Sequence, residues 1–392
     1  MNKIIGKIKG DKVIWGVVFF LTLLSFLAVY SSTGTLAYKY QGGNTAHYMV
    51  KHGVILFFGL IIMFLAHKLK YTYYSRIFQV LFYIAVPLLL ITLLYGLNLN
   101  DARRSLPLPF HLSFETSDLA KITLIVYLAR QLTKRQLAIK DFRKFMLFLM
   151  LPIFVVCGLI LPANFSTAAL LFATSFVLLF IGRVKVSYLL SVLGLTVLAI
   201  GFLYGILKMM PEGKQWRLPT WEARVHNFVD GLNGKQKADT YQVEQAKIAI
   251  ASGGVLGKLP GKSTQRNFLP HPYSDFIYAI IVEEYGLVGG VFLILLYLIL
   301  LFRAIRIVTK VPRNFGAFLS IGLSFSLVFQ AMINMAVSVN LLPVTGQPLP
   351  MVSMGGTSIW FSSLSIGILL SVSRDVEENE ILELENEDDG EI

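Results

Sequence analysis

VIWGVVFFLTLLSFLAVY, residues Val13–Tyr30, carries neither a charge nor a proline, and its reading decides what kind of molecule this is. A helix rises about 1.5 Å per residue, so a run of this length crosses most of the roughly 30 Å hydrocarbon core of a bilayer. Read alone it could pass for the apolar part of a secretory signal. No small-residue cleavage site follows it, however, and runs of the same kind recur along all 392 residues. It is expected to be a first membrane span. The composition agrees, with 55% hydrophobic residues, 15% charged residues and a mean hydropathy of +0.65.

Working outward, ten apolar segments can be laid out at about 13–31, 48–66, 77–96, 114–132, 145–161, 165–182, 187–207, 278–302, 315–338 and 357–373. The predicted class is all-α: a polytopic membrane protein of about ten transmembrane helices, with residues 1–374 forming one integral membrane domain. The fourth segment is the most polar, because Glu115, Asp118, Lys121 and Arg130 lie in or beside it. These are expected to face protein or water, since a charge facing lipid is expensive. Cys157 lies alone inside an apolar run, which excludes an intrachain disulfide and suits a buried, inert thiol.

Charge sets the expected topology. Lys3, Lys7, Lys9 and Lys12 precede the first segment, Lys68, Lys70 and Arg76 follow the second, and Lys134, Arg135, Lys140, Arg143 and Lys144 follow the fourth. Arg183 and Lys185 follow the sixth, and Arg303, Arg306, Lys310 and Arg313 follow the eighth. With ten spans all of these share one side, which the positive-inside rule makes cytoplasmic, together with both termini. Ten of the 23 acidic residues lie between Asp375 and Glu391, so the formal charge of +12 conceals a far more basic body. Residues 375–392 are read as a disordered cytoplasmic tail. The basic residues are spread over short loops without a nucleic-acid reading motif, so nucleic acid is not an expected partner.

Three polar stretches fall on the opposite, extracytoplasmic side. The longest connection, residues 208–275 between spans seven and eight, is too long to be a plain linker. Within it Tyr241–Ala251 has the spacing of an amphipathic helix, with Gln242 in its first turn, and Gly253-Gly254 ends that helix. The glycines could expose amides to an anion or simply allow a tight turn. The second stretch holds Arg103-Arg104 and then Glu115, Asp118 and Lys121. Guanidinium groups grip phosphate oxygens as a fork, and Lys121 could join them as a point charge or pair locally with Glu115 or Asp118. The third stretch, Leu342–Ser358, has three prolines and a diglycine, a pattern suited to a segment that re-enters the membrane. Asp275, after Ser274 and at the mouth of the eighth span, is a carboxylate able to handle protons near the head groups.

Five runs, in order, resemble the shape, elongation, division and sporulation family, the polytopic peptidoglycan glycosyltransferases of the FtsW/RodA/SpoVE type. They are Asn100–Ser105, Thr116–Lys121, Tyr241–Gly254, Leu269–Ile277 and Leu341–Ser358, and the likeness extends from the first span to Arg374. The chain resembles a divergent, FtsW-like member. Where the family has Trp, Glu, His and Thr, this chain has Ser105, His271, Tyr273 and Ser274, and an Asp of the family is Asn164. The resemblance implies polymerisation of lipid II with Asp275 as general base. It also implies pyrophosphate and lipid II binding by Arg103, Arg104, Lys121, Gly253, Gly254, Ser353, Gly355 and Gly356. Glu115, Asp118, Gln242 and Ser274 would support them. No cofactor is required, although a divalent cation, Mg2+ or Mn2+, could share the charge neutralisation. The implied partners are a class B penicillin-binding protein and other division-machinery proteins, in the bacterial inner membrane at the septum. A lipid II transporter and a non-catalytic scaffold are the rival readings; the outer-face gathering of the motifs favours catalysis.

If Arg104 grips the pyrophosphate, Arg104→Ala slows polymerisation of purified lipid II more than Arg104→Lys does, because lysine keeps the charge and loses the fork. Parent-like rates for both variants would remove the phosphate role.

Overall fold

The computed structural model describes residues 9–99, 102–108, 112–210, 218–232 and 241–390. Lys3, Lys7, Asn100 and Asp101 lie outside these residues, as do the side chains of Arg103 and Arg104. Each apolar segment read from the sequence is a helix. The first four are α1 (Lys12–Ser32), α3 (Thr45–Lys68), α4 (Tyr71–Tyr95) and α5 (Thr116–Lys134), with a short α2 (Gly34–Gln41) after the first. Then come α6 (Phe142–Ile160), α7 (Phe165–Ile181) and α8 (Val186–Met209). The connection that follows carries α9 (Leu218–Leu232) and α10 (Tyr241–Gly253), the latter matching the helix expected from residue 241. The chain finishes with α11 (Ile277–Lys310), α12 (Asn314–Ser338) and α13 (Gly356–Gly390). Among the described residues, eight helices are long and apolar enough to cross a membrane, which makes this a helical, multi-pass membrane protein.

The connection between α4 and α5, to which the sequence reading assigned no secondary structure, forms a small antiparallel sheet of β1 (Leu97–Leu99), β2 (Ala102–Leu108) and β3 (Leu112–Glu115), in the order β1-β2-β3. Arg103 and Arg104 stand on β2, whose Ser105 pairs with Glu115 across the ladder. The acidic tail, expected to be disordered, continues α13 as helix to Gly390. Opposite charges explain this. Glu378 meets Lys9 at 2.9 Å, Glu380 meets Lys310 at 2.7 Å, and Glu377 accepts the Gly10 amide at 2.5 Å. Beside them Arg303 donates from Nε to Asp11 at 2.6 Å, and Asp11 caps α1 by accepting from the Val13 amide. The ends of α1, α3, α11 and α13 that carry basic residues therefore meet at one end of the bundle, with Arg374 donating to the Lys68 carbonyl.

Lipid offers no hydrophobic drive between helices, so packing rests on close approach and shape. One close approach joins α3 and α13, where a Cβ at Gly367 would stand 2.5 Å from the Met63 carbonyl oxygen and 2.8 Å from Ala66 Cβ. In contrast α8 is the most lipid-facing span, with Val197, Leu198 and Phe202 exposed and only Leu189, Val192 and Leu207 buried.

Gly367→Ala forces the α3–α13 contact apart and should cost about 1–3 kcal/mol, read as a lower Tm in detergent, whereas Gly201→Ala on α8 meets no atom within 4 Å and should leave Tm unchanged. Equal behaviour of the two would refute the packing argument.

Candidate functional site

The segment from Leu341 to Gly355 folds back against the bundle, burying Leu349, Met351, Val352 and Ser353. Prolines 343, 348 and 350 limit its backbone, and Met351 takes a left-handed conformation with φ 62°. Side chains from surrounding helices meet its peptide groups. Asn334 Nδ2 donates to the Gln347 carbonyl at 2.7 Å and Gln330 Nε2 to that of Pro348 at 2.9 Å. Tyr297 donates to the Pro350 carbonyl at 2.5 Å, and Ser25 to that of Val352 at 2.8 Å.

Asp275 sits in the turn just before α11, half-buried, and Ser274 donates to its Oδ1 at 2.7 Å. The turn is tied to the re-entering segment twice and to α12 once. Ser353 donates to the Ser274 carbonyl at 2.6 Å, Met354 N–H to the Tyr273 carbonyl at 2.9 Å, and Asn334 Nδ2 to the Asp275 carbonyl at 2.9 Å. Gly346 (φ 65°) passes directly beside the carboxylate, for a Cβ built there would stand 3.6 Å from Asp275 Oδ2.

Lys121 is buried on α5. It pairs with Asp118 Oδ1 at 2.6 Å and donates to Gln330 Oε1 at 3.2 Å. Of the two pairings left open by the sequence, that with Asp118 is present. Glu115 instead accepts from Ser117 at 3.2 Å. An ammonium has three N–H donors, so one remains beyond these two bonds.

A cavity of about 590 Å³ lies between α7, α8, α9 and α12, lined mainly by apolar side chains such as Phe165, Leu170, Leu203, Trp221 and Phe329. Thr345 and Gln347 belong to its wall, so the segment that touches the Asp275 carboxylate also bounds the cavity. Glu222, held by Tyr204 at 2.8 Å, and His226 add polar groups from α9.

The remaining predicted residues separate into distinct places. Gly253 and Gly254 end α10 against α11, where the chain breaks at Gly286 (φ 69°, ψ −170°). Leu287 and Val288 donate to the Gly254 and Val255 carbonyls at 2.9 and 3.3 Å, and Lys258 and Leu259 donate to those of Glu283 and Glu284 at 2.9 and 3.0 Å. A Cβ at Gly253 would collide with the Val282 carbonyl, and one at Gly257 with that of Glu284. Here the turn reading prevails over the anion nest, because the glycines let two backbones touch. Ser353, also expected to touch substrate, is 1% exposed and spends its hydroxyl on the Ser274 carbonyl and the Leu349 amide. Gly355 and Gly356 lead into α13, and Gln242 is half-buried in the first turn of α10. Ser105 is buried, with no partner for its hydroxyl among the described residues. Asn164 caps α7 by accepting from the Thr167 amide at 3.2 Å, a task at which Asn and Asp are equivalent, so this departure from the family pattern keeps its structural role.

Sequence reading passed over four residues. Gln330 and Asn334 are one; a polar pair four residues apart inside an apolar helix was the available signal. Glu283 and Glu284 are the other, buried at 0% and 1% exposure. Glu283 accepts from Lys258 at 2.8 Å, Ser263 Oγ at 2.5 Å, Thr264 Oγ1 at 2.8 Å and the Thr264 amide at 3.1 Å. Glu284 accepts from Ser31 and from the Ser263 amide, while Arg266 donates to the Ser31 carbonyl at 3.0 Å. Together they fasten the 258–266 loop to α11 and to the end of α1. Among the described residues no group of three or more His, Cys, Asp or Glu is placed to hold a metal ion.

Fold and site together define a multi-pass membrane protein in which the segment beside the Asp275 carboxylate also helps to line a largely apolar cavity. Residues 11–378 match the FtsW/RodA/SpoVE family, described as "Cell cycle protein", and the chain belongs to it. It is 31% identical over 363 residues to the "Probable peptidoglycan glycosyltransferase FtsW" of Hydrogenovibrio crunogenus, covering 91% of this chain and 90% of that one. It is 29% identical over 373 residues to "Stage V sporulation protein E" of Bacillus subtilis, covering 94% and 98%. A solved structure described as "Structural coordination of polymerization and crosslinking by a peptidoglycan synthase complex" contains a chain with TM-score 0.69 and 26% identity, covering 94% of this chain and 98% of that one. The rod shape determining protein RodA of Thermus thermophilus shares the fold, at TM-score 0.66, 24% identity and coverage of 94% and 98%.

Glu283→Leu strips the loop of its acceptor and leaves Lys258 unpaired, which should destabilise by about 3–5 kcal/mol and lower Tm clearly. A parent-like Tm would show that the buried carboxylate is not what fastens the loop.

Proposed function

We propose that the protein is a peptidoglycan glycosyltransferase that polymerises lipid II, with Asp275 as its general base. The single observation that carries this reading is the shared wall: Thr345 and Gln347 bound the apolar cavity on one side, and Gly346 between them passes beside the Asp275 carboxylate. A lipid-linked sugar needs that combination, since its polyprenyl tail stays in an apolar space while its reacting carbons meet a polar mouth. Extracting the tail into water would forfeit about 0.8 kcal/mol per CH₂.

In the reaction, the 4-hydroxyl oxygen of one disaccharide-peptide unit bonds to the anomeric carbon of the growing chain. The bond from that carbon to undecaprenyl pyrophosphate breaks, and the hydroxyl proton passes to Asp275. Ser274, donating to Oδ1, orients the carboxylate and leaves Oδ2 toward Gly346. The remaining N–H of Lys121 suits a phosphate oxygen of the leaving group, and Arg103 and Arg104 on the adjoining β2 are assigned to the same charge. Asp118 then serves to hold Lys121 in place. A divalent cation, Mg2+ or Mn2+, could share that neutralisation; the chemistry of the residues does not require it.

The same reading includes a ten-span topology, counting α5 and α7 as spans, with the basic ends of α1, α3, α11 and α13 in the cytoplasm. Residues 208–275 are then extracytoplasmic. A class B penicillin-binding protein is the proposed partner, its single span beside an apolar face of the bundle and its outer domain within reach of residues 208–275. Septal action in cell division is preferred because relatives named FtsW match at 31% identity over nine-tenths of the chain, against 24% for RodA.

Asp275→Asn should lower lipid II polymerisation by about 10²–10⁴-fold while yield and Tm remain those of the parent. Glycan strands formed at the parent rate by purified Asp275→Asn protein would remove this residue from the mechanism.

A further inference from the structure

We propose that Gln330 and Asn334 are positioning residues that fix the separation between the Lys121 ammonium and the Asp275 carboxylate, a role that rests on the reaction assigned above. The two stand one turn apart on α12 and are buried, at 5% and 1% exposure. Gln330 takes Lys121 on its Oε1 at 3.2 Å and gives its Nε2 to the Pro348 carbonyl at 2.9 Å. Asn334 gives its Nδ2 to the carbonyls of both Gln347, at 2.7 Å, and Asp275, at 2.9 Å. Gln347 and Pro348 are neighbours in the chain. A continuous path of hydrogen bonds and covalent bonds thus runs from Lys121 through Gln330, Pro348, Gln347 and Asn334 to the backbone of Asp275.

The orientation of each amide is fixed by what it meets. Turning Asn334 over would set its oxygen against two carbonyl oxygens, so Nδ2 must face them, and Oδ1 is left buried without a partner. A bare buried acceptor is unfavourable, and a native fold keeps one only where the other atom of the same group is needed. Asparagine is well suited here, for leucine lacks the donors and aspartate would oppose two carbonyls with a carboxylate. Gln330 is constrained in the same way, since its oxygen must face an ammonium and its nitrogen a carbonyl. Gln347 extends the path by donating to Thr167 Oγ1 at 2.7 Å, which anchors the segment to α7. Lys121 on α5 and Asp275 in the turn before α11 lie far apart in sequence, and these two side chains of α12 are what both are tied to.

The test uses the purified full-length protein in nanodiscs, with polymerisation of lipid II followed at several concentrations and Tm measured beside it. Asn334→Leu and Gln330→Met keep side-chain volume and remove the bonds. The expected result is a fall in kcat of about 10–100-fold for each, the scale of a misplacement near 1 Å, with KM within about threefold and Tm within a few degrees of the parent. A kcat within about twofold of the parent overturns the proposal. So does a loss of activity that follows a matching fall in Tm, because that is the behaviour of a loop anchor alone. Should Asn334→Leu fail to accumulate, Gln330→Met decides the matter by the same criteria. Asp275→Asn in the same assay separates the two levels. If it polymerises like the parent, the assigned base is wrong; if it is silent while both amide variants keep the parent kcat, the base stands and the positioning role falls.

Discussion

A peptide group carried into a bundle that sits in lipid has no water to satisfy it, and the segment from Leu341 to Gly355 depends on meeting that constraint. Its carbonyls at 347, 348, 350 and 352 are met by Asn334, Gln330, Tyr297 and Ser25, which come from α12, α11 and α1. Its amides at 349 and 354 are met by Ser353 and by the Tyr273 carbonyl. Prolines remove donors that would otherwise need partners. The segment is therefore held by side chains rather than by a ladder, and the helices that supply them are held to one another through it. The turn that carries Asp275 is bound to this segment through the Ser274 and Tyr273 carbonyls and to α12 through the Asp275 carbonyl, so the carboxylate takes its place from the same set of contacts.

A second break in regular structure is handled differently. At Gly286 the α11 helix opens, and residues 254–259 lay their own backbone against the gap. Here main chain satisfies main chain, which requires the close approach that only glycine permits at 253, 257 and 286. Glu283 and Glu284 then collect the donors of the 258–266 loop from beneath. The charge buried at Glu283 is met by several donors at once, whereas the charge at Lys121 is met by Asp118 and Gln330 with one donor left over.

The spans were legible because hydropathy over twenty residues is a strong, local signal, and each predicted segment is a helix within a few residues at most ends. The sheet was not legible. Leu97–Leu108 mixes charged and apolar residues without clear alternation, and its pairing depends on Leu112–Glu115 lying alongside. The acidic tail read as solvated because its partners, Lys9, Gly10 and Lys310, come from two distant parts of the chain. At the site, Asp275 and Lys121 stood out as charges in apolar surroundings. Gln330 and Asn334 did not, since an uncharged amide in an apolar run looks like a tolerated helix residue until the carbonyls it faces are known.

The departures from the family pattern can be judged by the same physics. Ser274 keeps the hydroxyl that donates to Asp275, and Asn164 keeps the cap of α7, so both exchanges preserve the bond that matters. At 271 and 273 the exchange is of another kind: His271 Nδ1 and Tyr273 Oη lie 3.2 Å apart, joined to each other on the exposed side of the turn, while the Tyr273 carbonyl still receives the Met354 amide. Backbone bonds set the turn's shape, and the side chains at these two positions change only what an incoming sugar would meet. Divergence at 271 and 273 falls on the exposed side of the turn while that at Ser105 is buried, and the hydrogen bonds that tie Asp275 and Lys121 to α12 run through other residues.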